Sequence, residues 1–379
     1  MSKYGESVKV LQLQLNFDVA TAYVGEQISR ALGGKDYSVT TAYLRGSATR
    51  GLGKPLEKTH YFRYSKQSLK GVFRWCSIWK LYRYIKKNKF SIVIVHRFKA
   101  IHMLLLLNRF LKIPVVCIVH GIGDYDQKYR QNIIRSLVTD KCSFVAVSNE
   151  VKKYLINLSC GFSKVNTHVI TNAIDIESIH QEQFSRNDAR EALGISKGVF
   201  VFGAIGRLVP VKGYEYLIKA MAMLGAVDQD VQLVIIGDGR LRTALKSLIE
   251  KSGLEKKIRL VGWKEQAAKY VRAFDVFVIS SLSEGMPLAL MEAMSGEVPA
   301  IASDIPSLEV LIEGAGGWVF QSANESELAS VMRNVLRMSG GELNEAGEQA
   351  YDYLFQNHSL EGFCRSYKAL VSSQLAPNS

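Results

Sequence analysis

The chain has no paired cysteines, no spanning apolar run and, over one long stretch, no acidic residue. Each absence narrows what it can be. Its five cysteines, at 76, 117, 142, 160 and 364, are odd in number, scattered and free of any Cys-x-x-Cys. That usage suits reduced thiols and argues against a disulfide framework or a structural zinc site. No uncharged apolar run reaches the roughly 18 residues of a spanning helix. The longest candidate, 101–121, is broken by Asn108, Arg109 and Lys112. The opening residues, Met-Ser-Lys-Tyr-Gly-Glu-Ser-Val, hold no apolar segment of a secretory signal. A cytoplasmic chain that does not cross the membrane is expected.

The missing acidic residues are local. From Lys58 to Gly123 there is no Asp or Glu against 14 Lys and Arg. Residues 1–180 carry 28 basic and 11 acidic side chains, a surplus of +17, whereas the remainder carries a net −4. Aromatic residues, among them Tyr61, Phe73, Trp75, Trp79 and Tyr82, interleave with these cations. One reading is a solvated basic face over ordinary core aromatics. Another is docking on an anionic membrane surface, where Trp and Tyr rings settle at the headgroup level. Nucleic acid is the third reading, but no RNA- or DNA-binding module accompanies the charge, and no nucleic-acid partner is expected.

With 379 residues and 47% hydrophobic content, the chain can fill two cores. Strand patterns recur at Val8–Leu15, Ser38–Leu44, Ser91–Val95, Val115–Val119, Phe144–Val147 and His168–Ile170, with helical patterns between them. The theme repeats at Val199–Ile205, Val231–Ile236, Ile258–Val261, Asp275–Ile279 and Ala300–Ile301. Such alternation implies parallel sheets with right-handed crossovers, an α/β class. Two Rossmann-like, doubly wound domains are expected, 1–177 and 178–357, with the polar stretch 176–197 as a hinge. Ligands of such sheets bind at the carboxyl ends of strands, so a cleft between the domains is the expected site.

The strand ends carry the chemistry. After Ile279 the chain reads Ser280-Ser-Leu-Ser-Glu284-Gly-Met-Pro287 and then an apolar helical run containing Glu292. Pro287 fits a first helical position, where a backbone N–H is not needed. Glu292 then lies roughly 7–8 Å along the helix. The free N–H groups between the two glutamates suit a phosphate. The two carboxylates do not, and are better explained as partners for hydroxyl groups. Phosphate with hydroxyls suggests a nucleotide sugar. After Ile205 come Arg207 and Lys212-Gly213, two cations that can straddle a diphosphate. Gly237-Asp238-Gly239 reads either as a close approach of backbone to ligand or as an ordinary tight turn. Trp263 reads as a nucleobase neighbour or as a packing residue.

In type and order these motifs resemble the retaining glycosyltransferases of the GT-B fold, family 4 (group 1). The likeness covers about residues 90–310. Its pieces are Val147-Ser148, Asn172-Ala-Ile-Asp175, Arg207 with Lys212, Gly237 and Gly239, the E-x7-E pair Glu284 and Glu292, and Ser303-Asp304. The resemblance implies that Arg207 and Lys212 hold the donor diphosphate and stabilise charge as it leaves. It implies that Glu284 contacts the transferred sugar and Glu292 the ribose. The backbone around Gly285, Met286, Pro287 and Leu288 would add contacts to sugar or phosphate. His120 would stand beside the anomeric centre, and a C-terminal helix, about 358–379, would pack back onto the first domain. No cofactor and no metal are implied, because the donor, UDP- or GDP-linked, is a substrate. The expected reaction is retaining, metal-independent transfer of a hexose-type sugar to a glycan or lipid-linked glycan of the lipopolysaccharide-core, O-antigen or capsule type. It would take place at the cytosolic membrane face. A soluble acceptor and a non-catalytic nucleotide-sugar-binding protein are the alternatives.

The chain also departs from the family pattern. The usual glycine-rich loop after the first strand is Asn16-Phe-Asp-Val-Ala-Thr21, and Asn-Ala-Ile-Asp replaces Asn-Gly-Ile-Asp. Asp124-Tyr-Asp126 forms a D-x-D, read as a loop or acceptor contact before a metal ligand.

Overall fold

The computed structural model describes residues 7–16, 19–46, 58–69, 71–225, 230–285 and 287–376. Contacts divide the chain into two units, one of residues 1–173 with 360–379 and the other of 174–359.

Branched residues build the first sheet. Its strands are β1 (Val8–Gln14), β2 (Tyr37–Tyr43), β3 (Thr59–Tyr61), β4 (Ile92–His96), β5 (Val115–Val119), β6 (Cys142–Ala146) and β7 (Thr167–Val169). Every residue of β4, β5 and β6 is buried, as a parallel sheet covered on both faces requires. The order is β3-β2-β1-β4-β5-β6-β7, all parallel, so the winding reverses between β1 and β4. The helix Leu360–Leu375 returns to this unit and packs on the helix Val19–Ala31, burying Phe363 and Tyr367. Strand β3 falls in a stretch whose sequence, 45–70, reads as irregular. Its three residues are half-buried edge positions and leave little apolar signal.

The second sheet contains β8 (Phe200–Ile205), β9 (Val231–Ile236), β10 (Ile258–Gly262), β11 (Val276–Ile279), β12 (Ala300–Ser303) and β13 (Trp318–Phe320). Its order is β10-β9-β8-β11-β12-β13, again parallel, with the reversal between β8 and β11. Phe202, Leu217, Ile235, Leu328 and Met332 lie in its core. Among the described residues no helix is long and apolar enough to cross a membrane.

The stretch 176–197, expected as a hinge, is not an irregular linker. It forms the helices Ile176–Glu182 and Arg186–Ala192, both part of the second unit. Its polarity is matched by a partly buried carboxylate distant in sequence. Asp275 accepts from Arg190 at 2.7 Å, from the Val201 N–H at 2.7 Å and from Arg186. Arg190 also donates to the carbonyls of Ala273 and Val199.

Candidate active site

The reversal between β8 and β11 assembles the central contact. The loop after β8 ends in the short 3-10 turn Pro210–Lys212, closed by Gly213 at φ +62°. A Cβ on Gly213 would fall 2.0 Å from the Ser280 carbonyl, so only glycine lets this loop press on the end of β11. The Leu282 N–H donates to the Val211 carbonyl at 2.8 Å and the Ser280 hydroxyl to the Lys212 carbonyl at 3.0 Å. Lys212 Nζ is thereby held 2.5 Å from Glu284 Oε1, and Ser281 Oγ donates to the same oxygen at 2.6 Å. The two charged side chains are only 19% and 13% exposed. One carboxylate oxygen thus takes two donors. The other has no protein partner among the described residues, and neither do two of the three ammonium protons. Ser307 fixes the Glu284 carbonyl at 3.0 Å and Ser303 that of Ser281 at 2.6 Å, which braces the turn from β12 and the residues after it.

The strand ends beside this pair are knitted together. A Cβ on Gly237 would lie 1.9 Å from the Gly206 carbonyl, and one on Gly239 would lie 2.5 Å from the Leu208 carbonyl. The close approach these glycines permit is therefore to the loop after β8. Leu208 N–H to Asp238 and Leu241 N–H to Leu208 complete the junction at 2.9 and 3.0 Å. The Arg207 side chain projects from it exposed, with no hydrogen-bond or ion-pair partner among the described residues. Trp263, directly after β10, is 56% exposed, so its ring is not a core packing residue.

Pro287 is the N-cap of the helix Leu288–Met294 and not its first residue, with φ −84° and ψ 93°. An extended ψ holds it outside the helix. Glu292 occupies the fifth position, half-buried, and burial raises its carboxyl pKa to about 7. No described cation pairs with it. The back of this helix is fixed by residues that the sequence did not single out. Gln183 Nε2 donates to the Glu292 carbonyl and to Ser295 Oγ, both at 3.1 Å, and His180 Nδ1 lies 2.7 Å from the Ser295 carbonyl. Gly285 and Leu288 are half-buried and Pro287 is buried, whereas Met286 lies outside the described residues.

The first unit offers a second cluster at its strand ends. His120 follows β5 and His96 ends β4. Their rings stack with centroids 5.3 Å apart, and His96 Nδ1 lies 3.1 Å from His120 Nε2. His96 is fully buried. Burial, with the Arg97 charge beside it, lowers its pKa to about 3. Burial first, then His96 and Arg97, push His120 well below the usual imidazole range. Both rings are neutral near pH 7. In the D-x-D, Asp126 accepts from the Tyr154 hydroxyl at 2.8 Å, and Arg130 donates to the Asp124 carbonyl at 2.6 Å. Two other motif pieces act as helix caps. Ser148 accepts from the Val151 N–H, and Asp175 from the Ser178 N–H. Phe17 and Asp18 of the unusual 16–21 loop lie outside the described residues, as do the side chains at 19–22.

Two family models match the chain. "Glycosyltransferase Family 4" covers residues 23–178 and "Glycosyl transferases group 1" covers 185–353. A curated relative from Escherichia coli, UDP-Gal:alpha-D-GlcNAc-diphosphoundecaprenol alpha-1,3-galactosyltransferase, is 31% identical over 249 residues. That match takes in 62% of this chain and 64% of the relative, so the chain spans just under two thirds of its length. Among solved structures, Anabaena HepE in complex with UDP and glucose aligns with TM-score 0.82 at 19% identity, over 97% of this chain and 100% of the other. A glycosyltransferase from Rickettsia africae aligns with TM-score 0.85 at 17% identity, over 98% and 100%. At these identities the likeness shows the fold, which is GT-B.

Proposed function

Since the chain belongs to the family 4, group 1 glycosyltransferases, we propose that it transfers a hexose-type sugar from a nucleotide diphosphate sugar to a lipid-linked glycan. The observation that carries this reading is the Lys212–Glu284 contact, with Ser281 on the same oxygen. It leaves a carboxylate oxygen for a sugar hydroxyl next to ammonium protons for a phosphate, with Arg207 exposed on the same strand-end junction. The relative that acts on a diphosphoundecaprenol-linked sugar supports a lipid-linked acceptor.

In this mechanism the acceptor hydroxyl attacks the anomeric carbon as its bond to the diphosphate oxygen breaks. The proton passes from the acceptor hydroxyl to the departing phosphate. Attack and departure on the same face retain the configuration. Lys212 and Arg207 stabilise the charge growing on the diphosphate, electrostatic work done by preorganised side chains. Glu284 Oε2 accepts from a hydroxyl of the sugar and so holds the anomeric carbon in place. Glu292 accepts from the ribose hydroxyls, Trp263 borders the base, and the backbone at Gly285 to Leu288 adds polar contacts. For His120 we propose a neutral contact to the transferred sugar. No cofactor or metal is invoked, and the reaction is placed at the cytosolic membrane face.

The test incubates purified protein with UDP- and GDP-sugars and lipid-linked glycans and reads mass shifts in the lipid. A shift of one hexose that disappears in Glu284→Gln supports the proposal. Transfer only to water-soluble acceptors would replace the acceptor assignment. No transfer from any donor, with nucleotide binding intact, would leave a binding protein.

A further inference from the structure

Part of the basic surplus of the first unit lies on one helix, Arg74–Asn88. Its inner face, Ser77, Ile78, Leu81 and Ile85, is buried. Ser77 is pinned by its hydroxyl donating to the Ser68 carbonyl at 2.8 Å and by Tyr64 donating to its own carbonyl at 3.0 Å. The outer face should by rule be polar. Instead it holds Trp75 and Trp79, 54% and 59% exposed one turn apart, with Phe73 at 67% just before the helix. Trp79 stacks on Tyr82 with centroids 5.3 Å apart. Around these rings stand Lys80, Arg83, Lys86 and Lys87, all exposed and none in an ion pair among the described residues. A recess of about 550 Å³ opens alongside, lined by Arg63, Ser65, Phe73, Cys76 and Lys80 among others.

A basic last turn alone is explained by the helix dipole, and Lys86 and Lys87 fit that account. Lys80 and Arg83 lie before the last turn, and the dipole does not place tryptophans in water. Rings that are amphipathic, flanked by unpaired cations and rigidly mounted, match the interface of an anionic bilayer, where indole sits at headgroup depth and each cation meets a phosphate. A nucleic-acid strand would also meet the cations. The two tryptophans, however, sit on the outer face of a helix and do not line the recess, whereas a site that tracks a strand stacks its bases along a groove.

We propose that the outer face of helix Arg74–Asn88, with Phe73, is a docking surface for anionic phospholipid bilayer, and that the recess beside Lys80 receives a lipid phosphate. It rests on the proposed function only in that a lipid-linked acceptor lies in such a bilayer.

The experiment is flotation of the full chain with phosphatidylcholine vesicles, with or without about one-third phosphatidylglycerol. Tryptophan emission and sugar transfer to a detergent-solubilised lipid-linked glycan are read in parallel. Binding is expected only with the anionic lipid, with a blue shift, and should weaken as salt rises. Lys80→Gln, Arg83→Gln, Lys86→Gln and Lys87→Gln combined should cut affinity at least about a hundredfold, on the basis of about fivefold per cation. Trp75→Ser with Trp79→Ser should remove the blue shift and cost about tenfold. Equal binding to neutral vesicles, an undiminished fourfold variant, or retention on RNA without vesicle binding would overturn the proposal. Transfer in detergent with no vesicle binding refutes docking alone. Vesicle binding with no transfer refutes the proposed function alone.

Discussion

Lys212 donates to Glu284 at 2.5 Å, joining the end of β8 to the turn after β11 in one charge pair. The cation proposed to bind phosphate and the carboxylate proposed to bind sugar are therefore coupled. Changes at either should not add. Glu284→Gln and Lys212→Met are each expected to lower kcat/KM by about a hundredfold or more. The double variant should lose little more than the worse single, because either one already dismantles the unit. Steady-state kinetics on the four proteins measures this, and additive losses would separate the two roles. Glu284→Ala should also destabilise the fold by roughly 1–3 kcal/mol, by stripping a mostly buried ammonium of its acceptor.

The two histidines make stability sensitive to acid. His96 has its pKa lowered to about 3 in the folded chain. A His takes up a proton near pH 6.5 when unfolded. Its contribution is therefore complete above about pH 6.5 and is lost as pH falls from there toward 3, at most about 1.4 kcal/mol per pH unit. His120 titrates in the same direction. Arg97 opposes protonation of both rings. Urea unfolding at pH 7 and at pH 4.5 should show the loss, with a shallower slope in His96→Asn. That variant also frees His120 Nε2, so a changed pH profile of transfer is expected beyond any change in stability.

Glu292 behaves the opposite way. Its pKa is raised to about 7, so the folded chain holds a proton that the unfolded chain releases near pH 4.5. Stability therefore falls as pH rises from about 4.5 to 7 and is level beyond that. Nucleotide affinity should move in the other sense. A carboxylate that accepts from two ribose hydroxyls loses acceptor capacity on protonation, so Kd should rise a few-fold as pH drops from 8 to 6, by an order-of-magnitude reckoning. Calorimetric titration of UDP and GDP across that range checks it. Glu292→Gln should bind weakly at every pH, without the step.

What could be read from the sequence follows what each feature depends on. All strands but the short edge strands β3 and β13 are visible, because buried parallel strands are near-continuous runs of branched residues, as in β4, β5 and β9. Glu284, Arg207 and Lys212 draw notice because they follow strands, and Glu292 because it repeats the carboxylate of Glu284 inside the next helix. Partnership across long separations is not visible. Nothing local in Lys212 foretells its contact 72 residues on. Nor does Gln183 announce that it braces the helix carrying Glu292, 109 residues away. His96 reads as the last residue of an apolar strand, and only the β4–β5 pairing brings it to His120. Gly237 and Gly239 look like ligand-approach glycines, yet the backbone they admit is the chain's own. The polar 176–197 segment resembles a linker because its partner, Asp275, is far downstream.

That last network allows a graded stability test. Arg190 is 10% exposed and Asp275 13%, whereas Arg186 is 49% exposed. An exposed ion pair contributes about 0–1 kcal/mol, so Arg186→Ala should be nearly silent. Asp275→Asn leaves the Arg190 guanidinium buried among neutral acceptors, the Ala273 and Val199 carbonyls included, with no counter-charge. It should cost about 3–5 kcal/mol, the penalty for an uncompensated buried charge. Asp275→Asn with Arg190→Met removes the stranded charge and should recover part of that loss. Denaturant melts of the four proteins decide the matter. If Arg186→Ala proved as damaging as Asp275→Asn, the helix Arg186–Ala192 would be held by its outer contact, contrary to the burial of Arg190.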